Sequence, residues 1–206
     1  MPVRHLYLAR HAEPVGDGSR LTDRGVEQAA LLGRRLCAVA LDSVQHGPLP
    51  RAAETARVVV GQLAGPQVRV QQLDAAGDYV PSVPDRDEVA PEHADHVFGF
   101  LGEVSPSEAA HGATLADRAV RVLTGPEHGD ADSHHLVVTH AFTIGWLVRH
   151  ALDAPSWRWL GLNHGHAALT VLRFFTNRPP ALVVFNDMSH LPDELRWTGF
   201  PDDLRV

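Results

Sequence analysis

Lysine is missing altogether: all 18 basic residues of this 206-residue chain are arginine. That excludes Schiff-base chemistry and any phosphate loop built on the usual lysine. Cysteine is nearly as scarce. The lone Cys37 excludes a disulfide framework, a thiolate zinc cage and a Cys-x-x-Cys redox pair. No apolar run reaches the ~18–20 residues of a membrane span, and the opening Met1-Pro2-Val3-Arg4-His5 lacks a signal-peptide pattern. Positive charge is also in deficit. Eighteen basic against 25 acidic residues leaves a net charge of −7 and a pI near 6.0, which argues against nucleic acid or an anionic membrane as partner. The expectation is a cytoplasmic, enzyme-sized protein.

With 44% apolar and 21% charged residues, the chain suits one domain over residues 1–206, able to bury a core without disulfides or a structural metal. Val3–Ala9, Ser43–His46, His135–Thr139, Ala167–Phe175 and Leu182–Phe185 read as strands, and Val68–Val70 as a weaker one. After a Thr22 cap, Val26, Ala29, Ala30, Gly33, Leu36, Cys37 and Ala40 recur at helical spacing. A second helix from Arg51 turns Ala52, Thr55, Ala56, Val59 and Leu63 inward; others are expected at Leu115–Leu123 and Ala141–Leu152. Residues 74–92, acidic and interrupted by prolines, read as an irregular excursion. Strands alternating with helices predict an α/β fold, a three-layer α/β/α sandwich with a mostly parallel central sheet.

Two segments share one design: Leu6-Tyr7-Leu8-Ala9-Arg10-His11 and Leu136-Val137-Val138-Thr139-His140 each run an apolar strand into a histidine. In open α/β sheets, ligands bind beyond the carboxyl ends of the strands. If these two strands are parallel neighbours, His11 and His140 reach one crevice. Arg10 adds a planar, permanently charged fork suited to phosphate oxygens, and Arg51 a second at a helix entry that itself favours anions. Two histidines and two arginines around an anion-sized hole suggest phosphoryl transfer.

These pieces resemble the histidine phosphatase, or phosphoglycerate-mutase-like, superfamily. The resemblance is carried by Leu8-Ala9-Arg10-His11-Ala12-Glu13, Leu21-Thr22-Asp23-Arg24-Gly25, Pro50-Arg51-Ala52-Ala53-Glu54-Thr55-Ala56 and Val138-Thr139-His140, in that order. The last quarter, from Trp157 through Asn163 to Asn186-Asp187, is similar to its protein-phosphatase members. The resemblance implies that His11 is phosphorylated in turnover, that Arg10, Arg51 and His140 bind the phosphoryl group, and that guanidinium and imidazolium charge replaces any metal or other cofactor. It also implies a carboxylic acid some thirty residues after the second arginine. Asp78 fits best, with Glu13 and Asp74 as rivals. Two departures stand out: Ala12 where the family has glycine, and no asparagine in the loop Glu13–Arg20.

The implied activity is metal-independent hydrolysis of a phosphomonoester. A cofactor-dependent phosphoglycerate mutase shares the same core residues, and a non-catalytic binding protein could use the same fold. The expected partner is a phosphorylated small molecule, with a phosphoprotein and a homodimer left open. Other features have plainer readings. The pairs His134-His135, His93-x-x-His96 and His164-x-His166 lack a third ligand at fixed spacing, so no metal site is expected. Glu54 reads as a solvent-facing helix residue. Trp157, Trp159, Trp197 and Phe200 read as packing rather than cleft, and Asn186–His190 as either a simple tail or a segment returning to the site.

Overall fold

The computed structural model describes residues 2–64, 68–127 and 129–206. Met1 and His128, the latter in the His-rich turn expected before the fourth strand, lie outside the described residues. Six strands build one sheet: β1 (Arg4–Arg10), β2 (Ser43–His46), β3 (Val70–Gln72), β4 (Ser133–Thr139), β5 (Leu169–Phe174) and β6 (Ala181–Asp187). Their order is β3-β2-β4-β1-β5-β6. The first four are mutually parallel, and β5 and β6 close one edge antiparallel. The sheet is therefore mostly parallel, as the sequence predicts.

Alternation along the strands places one core on each face. Leu6 and Leu8 of β1 and Val137 of β4 pack with Ala119, Leu123, Ile144, Leu147 and Val148, from α4 (Pro106–Leu123) and α5 (Ala141–Ala151). Ala9, Leu136 and Val138 face the other way, onto Ala29, Leu32, Leu36, Ala52, Ala56 and Val59 of α1 (Asp23–Leu36) and α2 (Pro50–Val60). This period-2 division of one strand between two helical layers is what makes the sandwich. The Thr22 hydroxyl caps α1 by accepting from the Gly25 N–H at 3.0 Å. Where α1 crosses α2, Gly33 lies so close that a Cβ there would stand 2.7 Å from the Val59 carbonyl. Of the aromatics predicted as packing, Trp159 is core: it is 2% exposed, packs edge-on against Phe142 and donates its Nε1–H to the Ser82 carbonyl. Trp157 is half-buried and lines a shallow surface pocket.

Several expectations are corrected. Helix α1 is rotated from its predicted stripe, so that Val26 is 40% exposed and Gln28 takes a fully buried position. It also ends at Leu36, a turn short of Ala40. Glu54 does not face solvent alone; its carboxylate accepts the Leu21 N–H at 2.7 Å. The predicted Leu115–Leu123 helix starts nine residues earlier, at Pro106, and α3 (Pro91–Leu101) was not anticipated. Both begin with proline at their first position, where its missing N–H costs nothing, and Ser105 caps α4 through the Glu108 N–H.

Candidate active site

The parallel pairing of β1 with β4 sets Arg10 opposite Thr139, so His11 and His140 leave the sheet side by side. The His11 N–H donates to the Thr139 carbonyl at 2.9 Å, and the two imidazole centroids are 5.0 Å apart. Arg51 enters from the first turn of α2. Its Nε–H donates to His11 Nε2 at 3.1 Å and one terminal nitrogen to Asp78 Oδ2 at 2.8 Å. Thr55, one turn on, accepts the Ala12 N–H and donates to the Arg51 carbonyl, tying α2 to the end of β1. Ala12 is fully buried and does not adopt positive φ, so the extra methyl in place of glycine meets no backbone obstacle.

Asp78 follows a short 3₁₀ turn, Asp74–Ala76, that two hydroxyls pin in place. Thr139 donates to the Ala76 carbonyl at 2.7 Å and Thr143 to the Gly77 carbonyl at 2.6 Å. Asp78 Oδ2 then sits 3.5 Å from His140 Nδ1. Gly47 lets the chain pass between them: a Cβ there would lie 2.2 Å from the Ala76 carbonyl oxygen and 3.2 Å from His140 Nε2. Neither rival carboxylate joins the group. Glu13 accepts from the Thr22 hydroxyl and approaches Arg24, while Asp74 accepts from Gln72. The loop without asparagine contributes backbone instead. Gly18, at φ +71°, packs where a Cβ would touch the Arg51 guanidinium at 2.9 Å.

Burial dominates the electrostatics. It pushes the His11 pKa down to about 2, helped by His140 and, less, by Arg10 and Arg51, while the bond to the Ala12 carbonyl works against it. The same burial, with Arg51 and Arg10, takes His140 to about 3. Arg10 falls only to about 10 and stays charged. Burial therefore favours the neutral form of both imidazoles, and the two arginines are the site's permanent positive charges. His11 Nδ1 is 2.8 Å from the Ala12 carbonyl, which can only accept, so the ring proton is held there and the lone pair is on Nε2. Arg10 is held from behind by the carbonyls of His164 and Gly199.

The sequence reading assembled Arg10, His11, Arg51, Asp78 and His140, and the fold brings all five together. It missed His166. That ring stands 5.2 Å from His11 and lines the same cleft, of about 300 Å³, with Arg10, Arg51 and Asp78. The one available signal was the His164-x-His166 alternation before β5, set aside with the metal reading. Its neighbour His164 is sealed against Phe185, so the pair does not act as one unit. The C-terminal segment does return to the site, through backbone and polar side chains rather than aromatics. Asn186 accepts the Gly165 N–H, Gly199 holds Arg10, and Trp197 and Phe200 pack on each other outside the cleft. Beyond Asp78 a second cleft, of about 400 Å³, is lined by Leu49, Tyr79, Leu115, His111 and Arg118 among others. Among the described residues, no three His, Cys, Asp or Glu side chains gather as a metal-ligand set.

Comparison with known proteins gives this geometry a lineage. The chain is 29% identical over 212 residues to the serine/threonine-protein phosphatase Pgam5, mitochondrial, of Drosophila sechellia, covering 98% of this chain and 70% of that protein. Among solved structures it resembles a putative alpha-ribazole-5'-P phosphatase of Escherichia coli, with a TM-score of 0.67, 22% identity, and coverage of 89% and 96% of the two chains. It also resembles a phosphoglycerate mutase of Plasmodium falciparum, with a TM-score of 0.62, 20% identity, and coverage of 94% and 96%. At those identities the structural likeness speaks for the fold. The family model described as histidine phosphatase superfamily (branch 1) matches residues 6–188, from β1 through β6 and so across every element that builds the cleft. The chain belongs to the histidine phosphatase superfamily, branch 1.

Proposed function

We propose that this protein hydrolyses phosphomonoesters through a phosphohistidine on His11, without a metal or other cofactor. The observation that carries the reading is the convergence, at the end of the paired β1 and β4, of a neutral imidazole lone pair, two guanidinium groups and a carboxyl around one small cleft. In this reading Arg51 turns from His11 Nε2 to the phosphoryl oxygens, joined by Arg10 and His140. Nε2 attacks phosphorus as the ester P–O bond breaks, and Asp78 passes a proton to the leaving oxygen. Water, deprotonated by Asp78, then cleaves the P–N bond and returns His11 with its lone pair on Nε2. The fixed guanidinium charges supply the stabilisation that a metal provides in other phosphatases.

The second cleft, reached through Asp78, is the place for the leaving group. Its mix of Leu49, Tyr79 and Leu115 with Arg118 suits an organic phosphate larger than a bare alkyl ester. A phosphorylated small molecule fits this space. The protein-phosphatase relative supports a phosphoprotein side chain as the other substrate class. Rapid acid-free quenching with ³²P-labelled substrate is expected to trap an alkali-stable, acid-labile adduct on the His11 peptide. His11→Ala should abolish both adduct and turnover, and exhaustive chelation should leave the rate unchanged. Label on serine or aspartate, or a rate restored only by divalent ion, contradicts the reading. With 3-phosphoglycerate and a trace of its bisphosphate, free phosphate is expected rather than the isomer that a mutase forms.

A further inference from the structure

His166 has no task in the mechanism above, yet the residue is buried, 8% exposed, and its ring faces His11 across the cleft. Its Nδ1 is 3.1 Å from the Thr198 hydroxyl. Which of the two carries the proton is biased further back, at Gln28. The Glu13 backbone N–H donates to Gln28 Oε1 at 2.9 Å, so that atom is the amide oxygen. The amide nitrogen donates to the Leu195 carbonyl and to Thr198 Oγ1, each at 2.8 Å. Thr198 is thus already accepting, and its own proton is free to go to His166 Nδ1. The imidazole proton is then on Nε2, which makes no hydrogen bond to the protein and is not among the sealed polar atoms.

We propose that His166 is a phosphoryl-binding residue, a neutral imidazole whose Nε2–H donates to a phosphoryl oxygen, and that Thr198 and Gln28 are the positioning residues that hold it in this tautomer. The proposal rests on the hydrolase reading for its substrate but concerns a contact which that reading does not use. The ring is fixed relative to the nucleophile by the next residue. Ala167, at φ +55°, donates its N–H to the carbonyls of Arg10 and His11 at 3.1 and 3.3 Å. Gly199 backs the ring closely enough that a Cβ would overlap it. Burial, with Arg10, His11 and Arg51 nearby, keeps the group neutral by pulling its pKa to about 2. A neutral donor grips a phosphoryl oxygen without adding a third full positive charge that would retain the product phosphate.

Nitrogen-15 NMR on histidine-labelled protein reads the tautomer directly. The expected result is a protonated Nε2 and a bare Nδ1. Inorganic phosphate is the binding probe, titrated into wild type and into an His11→Ala background where turnover plays no part. His166→Leu is expected to weaken phosphate binding by about tenfold or more, the scale of one hydrogen bond to a charged group. His166→Asn, which restores an N–H, should recover most of it. Thr198→Val should shift the proton toward Nδ1 and weaken phosphate binding by about threefold or more, while Thr198→Ser restores both. Thr198→Val carries the test alone if His166→Leu does not fold. A protonated Nδ1 in wild type overturns the proposal, as does unchanged phosphate affinity in folded His166→Leu or in Thr198→Val. Phosphate binding that follows these expectations in a protein with no esterase turnover would count against the hydrolase reading and leave the role of His166 standing.

Discussion

The Asp78 side chain is 40% exposed, while that of His140, 3.5 Å away, is nearly sealed. That contrast fits a proton carrier that must meet both leaving group and water, standing beside groups that must stay dry. General acid catalysis is worth about 10²–10⁴-fold, but only where the leaving oxygen needs a proton. Asp78→Asn is therefore expected to cut hydrolysis of alkyl phosphates by at least about a hundredfold. It should largely spare p-nitrophenyl phosphate, whose phenolate leaves unaided. Equal losses on both would assign Asp78 to holding Arg51, its other partner at 2.8 Å. Steady-state kinetics on the two substrates separate these outcomes. Glu13 and Asp74, each engaged elsewhere, should show neither pattern.

Helices α1 and α2 both begin near the cleft and meet at their far ends, where Gly33 touches the backbone of Val59. Alanine at this position gains about 1 kcal/mol of helix propensity. Against that, its Cβ at 2.7 Å from a carbonyl forces two packed helices apart, and overpacking of this kind typically costs about 1–3 kcal/mol. Gly33→Ala should lower the urea midpoint with kcat and KM nearly unchanged, because Thr55 and Thr22 anchor the other end. A large change in KM would mean that the helices slide as rigid bodies and carry Arg51 with them. The elements that were unforeseen, α3 and the first half of α4, escaped because Pro91 and Pro106 resemble breaks in periodicity. In the fold they are starts.

Among the described residues, five histidines have pKa values lowered to about 4 or below by burial above all: His11, His140, His164 and His166 to about 2, 3, 3 and 2, and His190 to about 4. In the unfolded chain each protonates near the ordinary value of about 6.5. Below that pH the unfolded state binds more protons, so stability falls as pH falls, and goes on falling until the folded-state values are reached. Each histidine contributes roughly 1 kcal/mol per pH unit in that window. Urea melts should therefore show a steep loss between pH 7.5 and 5.5 and little change between 7.5 and 8.5. Inorganic phosphate, expected to bind the folded site and not the unfolded chain, should lessen the loss by mass action. A flat profile down to pH 5.5 would show that these rings take up protons within the fold.

Residue chemistry and local periodicity determined the layers, the parallel strands ending in His11 and His140, and the arginines beside them. Those features depend on spacings of two to four residues, which a sequence displays directly. The position of Asp78, not Glu13 or Asp74, beside Arg51 and His140, the burial of Gln28 and the placement of His166 were decided only in the tertiary structure. Arg51 meets Asp78 across 27 residues, and Gln28 meets Thr198 across 170. Neither partner is marked by any period in the chain. Such contacts exist because the strand order brings distant turns to one end of the sheet, where burial then sets which groups keep a proton.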